Sequence, residues 1–135
     1  MPSNIELLIE FRDNERPLGK ADVEALIEDT RAQGLPMGVS LSLRERRPGF
    51  GELASLAHIW QIAVDLATSH GALAAGGSAA LTAALRPVFK IFERREEQVV
   101  VLKGPGFELK GPARMFSGQT DELIERLKEA IASQG

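Results

Sequence analysis

The stretch ELASLAHIWQIAVDLATS, residues 52–69, decides how the whole chain is read. Leu53, Leu56, Trp60, Ala63, Val64 and Ala67 fall at helical spacing, and Ile59, Ile62 and Leu66 add a second stripe. An apolar surface that wide predicts a helix covered on more than one side. The segment then becomes the first of two central helices. The second follows Gly71, Gly76 and Gly77, with Ser78 as its N-cap. It carries Leu81, Leu85, Val88 and Phe92 on one face and ends in a solvated run from Glu93 to Glu97. Pro87 lies inside it and predicts a kink or a split, because proline removes a helix hydrogen bond and crowds the preceding turn.

Outward from this centre the patterns are shorter. Ile5, Leu7, Ile9 and Phe11 alternate with Glu6, Leu8 and Glu10, the period of a half-buried strand. Residues 21–33 predict a helix with Val23, Leu26, Ile27 and Thr30 inward, ended by Gly34 and Pro36. Val39, Leu41 and Leu43 alternate with Ser40, Ser42 and Arg44 as a second strand. Together these make a β-α-β unit, right-handed if its strands are parallel neighbours. Residues 99–103 and 107–110 flank Gly104-Pro105-Gly106 and predict a hairpin. Thr120, Asp121 and Glu122 open a last helix with Leu123, Ile124, Leu127 and Ile131 inward. The expected fold class is α+β in the order β-α-β-α-α-β-β-α. A four-stranded mixed sheet would carry helices mainly on one face, in a single domain over residues 1–135.

Composition narrows the function by exclusion. The chain has 135 residues, a net charge of -3, no cysteine, no tyrosine and two histidines. The missing cysteines remove disulfides, thiolate metal sites and thiol nucleophiles together. The acidic balance argues against nucleic acid. Residues 1–6 show no basic region followed by an apolar stretch, so no signal peptide is expected and the cytoplasm is the expected compartment. His58 and His70 are twelve positions apart, about 120° apart on a continuous helix, which is not a zinc pair. Glu24 and Glu28 are one helical turn apart, and such a pair reads as a solvent face. No catalytic residue, no cofactor-binding residue and no metal ligand is assigned, and the chain is not expected to be an enzyme.

Three features remain as sites. Residues 66–85 carry no formal charge over twenty positions, long enough to span a bilayer. Eight of them are alanine and four leucine, too little bulky apolar content for insertion, so a membrane role is disfavoured. Close-packed helices, or an interface using Gly71, Ala75, Gly76 and Gly77, suit these small residues better. In the loop after the second strand, Arg46, Arg47, Gly49 and Gly51 precede an expected helix N-terminus and could hold a phosphate or carboxylate. That cradle lacks the dinucleotide fingerprint and a P-loop lysine, so a solvated turn is the simpler reading. Val99 and Val101 belong to a strand apolar on both faces, which suits a sheet interior or, at an edge, pairing with another chain.

The layout has a known likeness. A strand at residues 5–11, a helix, a second strand, Gly71-Ala72-Leu73-Ala74-Ala75-Gly76-Gly77, a helix ending Phe92-Glu93-Arg94-Arg95, a valine-rich hairpin and a terminal helix follow one another. This resembles the effector-associated constant component family of bacterial conflict systems. The resemblance implies a non-enzymatic accessory protein, encoded beside peptidase or nucleotide-dependent effector modules, acting in defence or self-killing. It carries over no functional residues. Arg86, Pro87 and Lys90 break the apolar run here and weaken any membrane role. The expected activity is protein–protein contact, with a protein partner or by self-association. The alternatives are an anion- or nucleotide-sensing domain using residues 44–52, and a membrane-associated effector using residues 66–85.

Overall fold

The first strand, β1 (Asn4–Asp13), lies at the centre of the sheet, hydrogen-bonded on both sides. The computed structural model describes residues 4–13, 16–35, 38–47, 49, 58–67, 78–104 and 106–134. After β1 come β2 (Arg16–Pro17), α1 (Lys20–Ala32), β3 (Val39–Arg46) and β4 (Ile59–Ala67). Then follow α2 (Ser78–Arg94), β5 (Val99–Gly104), β6 (Phe107–Pro112), α3 (Ala113–Gly118) and α4 (Thr120–Gln134). The sheet order is β3-β4-β1-β5-β6, with the two-residue β2 paired to the end of β1.

Residues 59–67 correct the sequence reading most. They form β4, a strand, where a helix was expected over residues 52–69. Its register runs Ile5 opposite Leu66 and Ile9 opposite Ile62 on one side, and Leu41 opposite Val64 on the other. An interior strand buried on both faces loses the alternation that marks a one-sided strand, so its apolar residues mimic a wide helical stripe. Ile59, Gln61, Ile62, Ala63, Val64 and Leu66 are all buried, on both sides of the pleat.

That one change alters the topology. β4 inserts between β1 and β3, so the expected parallel neighbours are separated, and every pairing is antiparallel. Among the described residues the sheet has five strands in its main path plus β2, not four, and it is antiparallel, not mixed. The element order among the described residues is β-β-α-β-β-α-β-β-α-α. The short α3 was not anticipated, because its six residues are too few to show a helical period. The central helix pair proposed for residues 66–85 is overturned at its first two residues, which belong to β4. Residues 68–77, with the glycine hinge, lie outside the described residues, and Ser78 begins α2.

The remaining elements follow their sequence signals. α1 buries Val23, Leu26, Ile27 and Thr30, and the Thr30 hydroxyl donates to the Leu26 carbonyl at 2.8 Å. Gly34 closes it at φ 89°, donating its N–H to Arg31 O at 3.0 Å, in the left-handed region that glycine enters without steric cost. Gly106 turns the β5–β6 hairpin in the same way at φ 76°. α2 runs through Pro87 as one helix. Leu85 before the proline and Val88, Ile91 and Phe92 after it are all buried, so core packing on both sides offsets the lost hydrogen bond.

One cluster joins the four described helices to one side of the sheet. It contains Ile5, Leu7, Ile9 and Phe11 of β1, Val64 and Leu66 of β4, and Val100 and Leu102 of β5, with Leu26, Phe92, Phe116 and Leu123 from the helices. The other side of the pleat, with Leu8, Ala63, Val99 and Val101, contributes nothing to it. The four described helices lie on one face of the sheet; the opposite face has no helix among the described residues, although Glu10 of β1 and Ile59 and Ala63 of β4 are buried there too.

Candidate functional site

Strand alternation sends Glu6, Leu8, Glu10 and Arg12 to the face away from the helices. Antiparallel register then sets their neighbours. Glu10 stands opposite Val101, and Val101 opposite Lys110. Leu8 stands between Ala63 and Lys103, and Lys103 faces Glu108. Arg44 of β3 stands opposite Gln61 of β4. The result is a concavity of about 480 Å3 crossing the open face, lined by residues from all five main strands.

Its floor holds an ionised carboxylate out of water. Glu10 is 1% exposed. Arg12 Nε donates to Oε2 at 2.6 Å, while Arg46 Nε and Gln61 Nε2 donate to Oε1 at 2.9 and 3.1 Å. Burial pushes the carboxyl pKa up. The hydrogen bonds and charges of Arg46 and Arg12 pull it down further, so the group titrates below its ordinary value. A carboxylate held ionised by three donors is a weak base, so the geometry suits bracing two guanidiniums against the sheet better than moving a proton. Among the described residues no buried side-chain nitrogen or oxygen lacks a partner.

A second acidic position lies further along the same face. Asp65 of β4 is directly opposite Glu6 of β1, and Arg44 donates to Glu6. Burial raises the Asp65 pKa, the charge of Glu6 and a hydrogen bond to it raise it further, and Arg44 partly offsets them. Like charges directly opposite on paired strands destabilise a sheet. Asp65→Asn is therefore expected to stabilise the fold by about 0.2–1 kcal/mol at neutral pH, read as a higher urea midpoint. The gain should fade in acid, where Asp65 is protonated in the folded protein and its repulsion with Glu6 is already gone.

The structure places the sequence-selected residues as follows. Arg46 lies in β3 and braces Glu10. Arg47 and Gly49 are exposed beyond the strand, while Gly51 lies outside the described residues. The helix N-terminus expected to complete that anion cradle was to open a helix over residues 52–69, and residues 59–67 of it are β4. Gly71, Ala75, Gly76 and Gly77 also lie outside the described residues. Val99 and Val101 are half-buried in β5, an interior strand, so any contact they make is through the open face and not by edge pairing. The edges belong to β3 and β6. His58 is exposed at the start of β4, paired with Glu45 and with its ring 6.0 Å from Trp60. Lys20 stands 5.2 Å over the other ring of that group, Trp60.

Glu10, Arg12, Gln61, Lys103 and Lys110 were not selected from the sequence. Glu10, Arg12, Lys103 and Lys110 read locally as ordinary solvent-side residues and Gln61 fell inside the expected helix over residues 52–69, so only the register brings them together. Among the described residues no group of three or more His, Asp or Glu is placed to hold a metal ion, and no helix is long and apolar enough to cross a membrane.

Comparison with family models, with curated proteins and with solved structures finds no match to this chain.

Proposed function

We propose that this chain is a non-enzymatic interaction module that docks a protein partner on the open face of its sheet, acting in the cytoplasm as an accessory protein of a bacterial conflict system. The observation that carries the docking reading is the concavity on the side of the sheet away from the described helices. One face holds the helices, and the other presents a concavity of about 480 Å3 with half-buried Leu8 and Val101 in it. The Arg12–Glu10–Arg46 clamp with Gln61 ties three strands together beneath that surface, so the partner would meet a preorganised platform. The conflict-system setting rests on the resemblance in layout.

A photo-crosslinking amino acid at Val101, compared with one at exposed Glu125 on α4, tests this in the native host. The expected result is an adduct at Val101, absent at Glu125, with a protein encoded beside the gene for this chain. Equal labelling at both positions, or none at Val101, would remove the open face as a docking site.

A further inference from the structure

We infer that the occupant of the open face is an acidic, amphipathic peptide segment of the partner, with carboxylates spaced around one or two apolar side chains. The inference rests on the docking reading above and adds the chemistry of what docks. The chain as a whole carries a net charge of -3, yet among the described residues the concavity is lined by five cations, Arg12, Arg44, Arg46, Lys103 and Lys110, against three carboxylates. Two of those carboxylates already have partners. Glu10 is held by Arg12 and Arg46, and Glu45 pairs with His58. Lys103 and Lys110 are exposed and make no ion pair among the described residues, although Glu108 faces Lys103 across the hairpin. The two lysines on the β5–β6 side, and Arg44 on the β3 side with Glu6 as its partner, flank an apolar strip of Leu8 and Val101.

The dimensions suit a short segment. Crossing five strands spans four gaps of about 4.8 Å, roughly 19 Å in all. About six extended residues cover that distance, or about thirteen in a helix. A carboxylate at the β5–β6 end reaches Lys103 or Lys110 while an apolar residue next to it covers Leu8 and Val101. Nucleic acid fits less well. Among the described residues no aromatic side chain lines the concavity to stack a base, and Glu45 and Glu108 oppose a phosphate backbone.

Fluorescence anisotropy with labelled peptides of about fourteen residues, long enough to cross the face in either conformation, tests the inference. One peptide is built of Glu and Leu, one of Gln and Leu, one of Lys and Leu, and a single-stranded oligothymidine is included. The Glu–Leu peptide should bind at least about tenfold tighter than the Gln–Leu peptide, and more weakly as salt rises. The Lys–Leu peptide should not bind. The double variant Lys103→Glu, Lys110→Glu should lose about tenfold or more for the Glu–Leu peptide. Both lysines are solvent-exposed, and circular dichroism confirms that the variant is folded. Equal binding of the Glu and Gln peptides, indifference to the double variant, or tighter binding of the oligonucleotide would each overturn the inference. A specific Val101 crosslink together with peptide failure would leave the docking reading standing and discard only the acidic chemistry. Loss of both would discard both.

Discussion

Glu10→Ala is expected to lower folding stability by about 3–5 kcal/mol, the usual cost of removing one partner from a buried charge cluster. The substitution leaves Arg12 and Arg46 facing each other, and Gln61 without its acceptor, in the middle of a sheet. For a domain of this size such a loss lowers the thermal midpoint by roughly 10–20 °C. The comparison that identifies the cause is an ordered series. Arg46→Met leaves the Arg12 and Gln61 contacts to Glu10 in place and should cost less. Arg44→Met breaks a pair whose side chains are 46% and 35% exposed, so it should cost no more than about 1 kcal/mol. Urea denaturation of the three variants gives the order directly. A Glu10→Ala loss no larger than that of Arg44→Met would mean the clamp does not hold the sheet together.

The same residue sets a pH dependence. The folded pKa of Glu10 lies below its ordinary value, so the folded state favours the ionised form. Its contribution is complete above the ordinary carboxylate pKa. It is lost as pH falls through the folded value, because protonation then removes the charge that both guanidiniums face. Stability of the native sequence should fall steeply on the acid side, and Glu10→Gln should flatten that limb while lowering the neutral plateau. Asp65 acts in the opposite sense: its raised pKa makes its ionised form a cost at neutral pH that acid relieves. Urea midpoints measured from neutral to acid pH for Glu10→Gln and Asp65→Asn separate the two contributions.

The clamp also shows where reading the sequence stops. Ile5, Leu7, Ile9 and Phe11 mark β1 because that strand has one face in the core and one outside it. The same holds for Val39 and Leu41 in β3 and for the inward stripes of α1 and α4. Alternation and helical spacing are local, so they survive without tertiary context. In β4 both faces are covered, and the periodic signal disappears. Ile59, Ile62 and Val64, β-branched residues within nine positions, were the remaining hint of a strand. Once β4 is misread, the site is out of reach. Glu10 meets Arg46 and Gln61 across sequence separations of 36 and 51, and both contacts depend on the pairing order β3-β4-β1. Arg46 was noticed for its charge, but as part of a loop that would cradle an anion. Its place in β3, with its Nε on Glu10, follows only from the register.

Phe92→Ala carries the second large effect, about 3–5 kcal/mol of lost stability, and it tests the helical side of the molecule as Glu10→Ala tests the open side. Phe92 is 1% exposed near the C-terminal end of α2. Its ring lies 6.1 Å from Phe11 of β1, 5.4 Å from Phe116 of α3 and 6.3 Å from Phe89 of its own helix. It is thus the shared ring that ties the central strand, the long helix and the short helix together. Removing it leaves a cavity between three elements that cannot all close on it, and forfeits tilted aromatic contacts worth about 0.5–1.5 kcal/mol each beyond their buried area. Phe89→Ala is the control, because Phe89 is only partly buried and contacts one ring of the group, so it should cost clearly less. The two faces should also respond independently. Phe92 points into the helical core and Glu10 to the opposite side of the pleat, so the double variant Phe92→Ala, Arg46→Met should lose close to the sum of the single losses. A coupling energy above about 0.5 kcal/mol would show that the open-face clamp and the core strain or relax together. The open face would then not be a platform that holds its shape independently of the core beneath it.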